Sequence, residues 1–361
     1  MSAANWCIEP RDTLLIRDGR PMTYGMPNMK SLDFPWPSTI AGMVRTRVGL
    51  DEKGTFALTV EEAKKVAISG PWLVKLSGAK IEGRYLPAPR DVVAYGQSAE
   101  LTLHRLKPLG RPASVQSDLP AGLEFVGPSG APNEKAARGG AAFWGWTRLE
   151  KWLSAPADSM KVGSEELGLP ALDHERRVHV ALDPETQTAA DGQLFSTDGL
   201  RFSKVGQSLA LEFSANDARL QTGLATLGGD RRVSFLRRVD RWVPALPAAV
   251  KAVGRRARVV LVTPALFKNG ALPESIGGAK VVAAVVPRAE VISGFDQSLG
   301  ADGRARGPKP SRRAVAAGSV FWVDLAGLDV SAWLEKVWWK EISDDEQDRR
   351  DGFGLAVVGV E

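Results

Sequence analysis

The sequence predicts an α+β fold, because strand-like and helix-like segments intermix without the regular βαβα alternation of a doubly wound sheet. Two observations bound that fold. The chain has 361 residues and is 44% hydrophobic, enough for a sizeable core and, by length, for two domains. It also shows no tandem repeat of fixed period. Basic residues exceed acidic ones by 47 to 42, a formal charge of +5. That modest surplus permits an anionic partner without demanding one.

Strands are expected at Asn5–Glu9 and Thr13–Ile16, followed by the turn chemistry of Arg17-Asp18-Gly19-Arg20-Pro21. After a proline-rich stretch, 26–37, Ser38-Thr39 reads as the N-cap of a helix running to about Val48. Ile40, Val44 and Val48 recur at i, i+4 and i+8, which gives that helix its apolar stripe. Pro71–Leu76 reads as a strand, 108–140 as a long insertion, and Trp144–Leu153 as a short helix. Arg177–Leu182 alternates like a strand, and Gln193–Phe202 and Gln207–Phe213 look like paired strands. Ser214 or Asn216 is then expected to cap a helix carrying Leu220, Leu224 and Leu227, ended by Gly228-Gly229. A strand follows, with Val233 and Phe235 on one face. Val-rich strands are expected at Ala257–Thr263, Lys280–Val286, Glu290–Phe295 and Ser319–Leu325, with a Gly-, Pro- and Arg-rich loop at 296–313. Val330, Trp333, Leu334, Val337 and Trp338 mark an amphipathic helix. Leu355–Val360 is apolar on both faces and reads as a central strand.

Much chemistry is excluded. The single cysteine, Cys7, sits between Trp6 and Ile8 and reads as a small buried hydrophobe; it rules out an intramolecular disulfide and a cysteine-based metal site. His104, His174 and His179 stand in no metal-ligand spacing, and no phosphate-binding loop, nucleophile elbow or EF-hand is present. Gly352-Phe353-Gly354 lacks the third glycine of a dinucleotide fingerprint and precedes a strand instead of a helix. No apolar run reaches signal-peptide length or the ~20 residues that span a bilayer. The expectation is a cytoplasmic protein without membrane, metal, cofactor or catalytic constellation.

What the chain offers is arginine beside glycine or helix-initiating backbone, four times over. Arg17 and Arg20 flank the Asp-Gly turn; Ser38 and Thr39 open a helix with Arg45 in a later turn. Arg231, Arg232, Arg237 and Arg238 follow Gly228-Gly229, and Arg349-Arg350 lead into Gly352 and Gly354. Glycine admits close approach of a phosphodiester, and guanidinium supplies a donor fork matched to phosphate oxygens. Each cluster taken alone also fits a solvated charged face. For the 11 tryptophans core packing is the default, with base stacking conceivable at Trp36 or Phe353.

These motifs, taken in order, resemble a known family. They are Glu9-Pro10-Arg11-Asp12, Arg17-Asp18-Gly19-Arg20-Pro21, Pro37-Ser38-Thr39-Ile40-Ala41-Gly42 and the block Asp183, Thr186, Ala189, Gly192, Leu194, Phe195. Leu227-Gly228-Gly229-Asp230-Arg231-Arg232, Thr263-Pro264-Ala265, Ala317-Gly318-Ser319-Val320 and Gly352-Phe353-Gly354 complete the series. The family is the third subunit of the Cmr complex, the type III-B CRISPR effector, within the RAMP superfamily.

The resemblance implies two ferredoxin-like (RRM-like) domains with long inserted loops, set here at 1–165 and 170–361. It implies a non-catalytic scaffold that binds guide (CRISPR) RNA at its 5′ end, with the large polymerase-like subunit and the backbone subunits as partners. Carried onto this sequence, Arg17, Arg20, Ser38, Thr39, Arg45, Arg231, Arg232, Gly352 and Gly354 lie on matching motifs; charge placement adds Arg237 and Arg238. No RNP-type aromatic strand motif is present, so binding led by phosphate contacts and loops is expected. The insertion at 108–140 is a candidate thumb that wedges the RNA. The rival readings are a metal-independent endoribonuclease that processes guide precursors with His179 as its base, and a structural subunit with no RNA contact.

Overall fold

The computed structural model describes all residues except 1, 2, 19–28, 52, 98, 99, 113, 129, 131–134, 138, 139, 156, 157, 205 and 300–304. The described helices are α1 (Pro37–Gly49), α2 (Val60–Lys65), α3 (Trp146–Ser154), α4 (Ala248–Lys251), α5 (Val330–Val337) and α6 (Glu346–Arg350). Strands predominate, and every ladder is antiparallel.

Two large sheets pack face to face. The first has at its centre Ala4–Pro10, Ile68–Ser77, Gln207–Ala215 and Val233–Val239, in spatial order 4-1-3-2. The second repeats that order with Arg256–Leu261, Ala279–Val285, Val320–Asp324 and Leu355–Val360. Each carries a helix at only one of the two crossovers of a βαββαβ unit. The first has α1 after its first strand; the second has α5 after its third. A smaller sheet, Val92–Gln97, Glu100–Pro108, Val126–Pro128 and Ser159–Gly163, flanks them.

The layering follows from alternation along the strands. Trp6 and Ile8 face α1, packing with Ile40 and Val44, whereas Cys7 faces the second sheet with Trp72 and Val74. On the second sheet Leu355 and Val357 face the first, while Ala356 and Val358 meet Trp333 and Val337 of α5. The result is helix, sheet, sheet, helix. Cys7 is accordingly inert: burial pushes its thiol up to about 12.

Several expectations change. The boundary at 165/170 cuts through the first sheet, because Gln207–Ala215 and Val233–Val239 pair with Ala4–Pro10. The chain passes to the second sheet only after Val239. The helix expected after Asn216 is instead an edge strand, Gly223–Thr226, paired with Val233–Val239. Leu220 and Leu227 are buried as its stripe requires, but Leu224 is 64% exposed. On Val233–Val239 it is Ser234 and Leu236 that face inward. Gln193–Phe202 does not pair with Gln207–Phe213: strand Ala189–Arg201 pairs with Asp173–Leu182 as a separate hairpin. Thr13–Ile16 forms no ladder and makes one bridge, Leu14 to Leu200. Leu355–Val360 is buried on both faces between two cores, although its outer neighbour is only the two-residue Lys340–Glu341.

The layers are pinned together by buried charge. Asp91 is fully buried and pairs with Arg258 of the second sheet, while its other oxygen accepts Trp152 Nε1 of α3 at 2.9 Å. Arg258 also donates to the carbonyls of Val360 (2.6 Å) and Trp152 (2.9 Å). Arg105 of the small sheet, also fully buried, donates to the same Trp152 carbonyl at 2.6 Å and lies over the Trp152 ring. Burial, and then the neighbouring Arg258, lower its pKa to about 9.

Two expectations follow for stability. Asp91→Asn keeps the shape but leaves two interior guanidinium groups without a carboxylate, and should cost about 3–5 kcal/mol in denaturant unfolding. Burial raises the carboxyl of Glu290, even though Trp36 Nε1 donates to it at 3.2 Å. The raised group favours the fold below its ordinary value near 4.5, and that contribution disappears as pH climbs through the folded-state value. Glu290→Gln retains an acceptor for Trp36 and should raise the melting temperature at pH 8 while matching the parent at pH 4.

Candidate nucleic-acid interface

Helix α1 begins with Pro37 at its first position and Trp36 as its N-cap, without a side-chain cap. The fixed φ of proline starts the helix one residue before the Ser38-Thr39 pair. Ser38 and Thr39 therefore do not cap. With Ile40, Val44 and Val48 buried, they stand with Gly42 and Thr46 on the side of α1 that lines a surface groove of about 660 Å³. The other wall holds Thr226 and Gly228. Arg47 also lines the groove, and its Nε is buried with no hydrogen-bond partner.

Gly228-Gly229 shapes that wall. Gly228 has φ 76°, and a Cβ there would lie 2.6 Å from the Leu15 carbonyl, so no other residue fits. Gly229 N–H donates to the same carbonyl at 2.6 Å. The next two residues, Asp230 and Arg231, also have positive φ, 53° and 48°. Left-handed backbone at two non-glycine residues in succession is strained, and it leaves Arg231 exposed with no ion-pair partner among the described residues. Arg232 turns back to Asp12 at 2.5 Å, and Arg177 approaches the other Asp12 oxygen at 2.9 Å. The Arg177 hydrogen bond, ahead of other causes, holds the Asp12 carboxyl below its usual range. Arg177 is also met by Glu175 at 2.7 Å, and Asp230 stands 3.7 Å from Arg232, so these two guanidinium groups are matched by carboxylates and Arg231 is the one of the three without an ion-pair partner among the described residues.

The eleven expected residues separate into distinct places. Arg17 is exposed and forms an isolated bridge with Ser31, two residues beyond the Leu15 carbonyl that seats Gly228-Gly229. Arg20 lies outside the described residues. Arg45 is a brace: it donates to the Val66 carbonyl at 3.0 Å and pairs with Asp351 at 2.7 Å.

Gly352 and Gly354 correct an expectation. Both are buried at positive φ, and their N–H groups donate to Arg349 O at 3.0 Å and Pro264 O at 2.8 Å. These amides are already taken up by the protein and are not offered to a phosphate. A Cβ on Gly352 would stand 2.7 Å from the Gly70 carbonyl, so this bend is glycine because the sheets meet there. Arg237 is tied to Glu9 at 2.5 Å; Arg238 is exposed on the same strand. Trp36 and Phe353 are both buried and pack together, which removes them as stacking platforms.

Sequence reasoning missed Arg47, the Asp12 link between Arg177 and Arg232, and the projecting hairpin Asp173–Leu182/Ala189–Arg201. Only the motif blocks around Asp12 and Asp183 hinted at them. The hairpin forms no ladder with another described strand; Leu200 bridges Leu14, Met29 N–H donates to the Ser196 carbonyl at 2.8 Å, and Arg177 pairs with Asp12. Val178, Val180, Leu182 and Leu194 form an exposed aliphatic stripe on one face. On the other, the His179 ring stacks on Phe195 at 5.1 Å, and its Nε2 meets Thr197 Oγ1 at 2.9 Å. The expected thumb, 108–140, is in its described part tied down: Glu124 N–H donates to Val282 O at 2.8 Å and the Glu124 carboxylate pairs with Arg256.

A family model described as CRISPR-associated protein (Cas_Cmr3) matches residues 6–361. No curated protein matches the chain. Among solved structures, a chain of a cryo-EM structure of the Type III-B Cmr-beta bound to cognate target RNA and AMPPnP, state 1, aligns at 14% identity. The alignment covers 88% of this chain and 86% of that one, with TM-score 0.49. A chain of the Type III-B Cmr-beta bound to cognate target RNA aligns at 16% identity with the same coverage and TM-score 0.46.

The bracing role assigned to Gly352 is testable. Gly352→Ala forces a side chain into left-handed backbone against Gly70 and should lower stability by about 1–3 kcal/mol. RNA affinity measured well below the melting temperature should stay at the parent value, since the amide there serves the fold.

Proposed function

The chain belongs to the Cas_Cmr3 family of CRISPR-associated proteins, and from that premise we propose a non-catalytic, RNA-binding subunit of a type III-B effector, built on two ferredoxin-like units. It grips the 5′ end of the guide RNA and bridges the large polymerase-like subunit to the backbone subunits. The observation that carries this reading is the arginine cluster at Gly228-Gly229, with one guanidinium group presented outward. There Arg177 and Arg232 share Asp12, Arg231 is turned outward, and the hydroxyls of Ser38 and Thr39 line the adjoining groove.

That corner suits phosphates. Guanidinium forks and hydroxyls bind phosphodiester oxygens without reading bases. The strained backbone at Arg231 fixes where its charge stands, so a strand is met by preset donors. The hairpin supplies the other element of single-strand recognition, an exposed apolar surface against which bases can be splayed.

His179 is stacked on Phe195 and bonded to a hydroxyl, and among the described residues no group of three or more His, Cys, Asp or Glu is placed to hold a metal ion. Among them, too, no helix is long and apolar enough to cross a membrane.

Arg231→Glu is the sharpest test, because Arg231 has no ion-pair partner among the described residues. It should weaken binding of a guide-length RNA several-fold and lower the salt slope by about 0.7–1. Unchanged affinity and slope would leave a structural subunit without RNA contact. The same preparation, incubated with precursor RNA in chelator, should leave it intact; cutting that His179→Ala abolishes would make the protein an endoribonuclease.

A further inference from the structure

The second sheet carries an arm of its own. Between Ala279–Val285 and Val320–Asp324 the chain runs out through Glu290–Ile292 and Phe295–Leu299 and returns through Ala305–Pro308 and Arg312–Ala314, paired as antiparallel ladders. The loop expected at 296–313 is thus largely a hairpin. Its return limb is basic: residues 303–313 hold five basic side chains and no acidic one, whereas Glu290, Asp296 and Asp302 fall earlier in the chain.

The root of this arm is fixed. Ile292 and Ala314 pack with Trp36, Leu266 and Phe353; Trp36 Nε1 donates to Glu290, and Arg312 pairs with Asp348 at 2.7 Å. Trp36 is the N-cap of α1. The arm is therefore seated on the very residue from which the Ser38-Thr39 face starts. Arg288, Lys309 and Arg313, by contrast, are exposed and have no ion-pair partner among the described residues. Their register places Arg313 beside Val291, which is 51% exposed, and Lys309 against Gly294.

We propose that this arm is a second contact for a single-stranded ribose-phosphate backbone, made by Arg288, Lys309 and Arg313 and separate from the Gly228-Gly229 corner. The inference rests on the RNA-binding reading above and extends it to the other half of the molecule. Two features favour a polyanion over a protein strand. Pro308 and Pro310 flank Lys309 on the return limb, and proline without an N–H, together with an edge lysine, blocks strand addition. What remains for recognition is side-chain charge held on a rigid root, the form of a phosphate contact. The strand is either the guide or its complementary target, and the chemistry of the arm serves both.

The test is fluorescence anisotropy of the full chain with a labelled, unstructured RNA across a KCl series. The triple variant Arg288→Glu, Lys309→Glu, Arg313→Glu should bind about tenfold more weakly, with a salt slope lower by about 2. Swapping the charges in kind (Arg288→Lys, Lys309→Arg, Arg313→Lys) should preserve both, and all variants should melt with the parent because the three side chains are exposed. If Arg231→Glu weakens binding while the triple reversal does not, the arm is no RNA contact and the corner stands. If neither does, the RNA reading falls and the arm with it. In the assembled effector, 4-thiouridine crosslinks that reach the arm from the guide or from the target support the proposal and identify the strand. Crosslinks to the arm from neither strand overturn it.

Discussion

The architecture depends on one arrangement of buried charge, two guanidinium groups side by side with a single carboxylate. Arg105 comes from the small sheet, Arg258 from the second sheet and Asp91 from the turn leading into the small sheet, with Trp152 of α3 bonded to all three. Ions this far from water are stable only when their donors and acceptors are met in the right geometry. The cluster therefore forms only when the small sheet, α3 and the second sheet arrive together. Once they do, the relation between the halves of the molecule is set.

That fixed relation places the candidate binding surfaces. Helix α1 lies on the outer face of the first sheet, and its N-terminal end is trapped between Gly352 and Trp36, where the second sheet comes closest. From this one locus radiate the hydroxyl-lined groove, the Gly228-Gly229 corner and the basic arm. The hairpin Asp173–Leu182/Ala189–Arg201 springs from the neighbouring Leu14 bridge. Surfaces contributed by residues hundreds of positions apart thus share a rigid base, as preorganised binding requires.

Many arginines that look alike in sequence do different work. Arg45, Arg237, Arg312 and Arg349 are spent on carboxylates or carbonyls and hold elements in place. Arg231, Arg238, Arg288 and Arg313 stand exposed. Local sequence does not separate the two groups, because a partner such as Asp351 for Arg45 is supplied from the far end of the chain.

The residues by themselves determined most of the element types, the stripe of α1 and the burial of Cys7, since periodicity is a local property. The ordered motifs also sufficed to reveal the family. Tertiary structure decided the rest. It put an edge strand, Gly223–Thr226, where a helix was expected, because the backbone there found partners in Val233–Val239, a pairing no local pattern announces. It moved the transition between halves from 165/170 to beyond Val239, and it turned Gly352 and Gly354 from expected phosphate donors into the hinge where two sheets touch. Hydrogen-bond partners and close approaches are set by which distant segments meet, and that information is absent from any window of sequence.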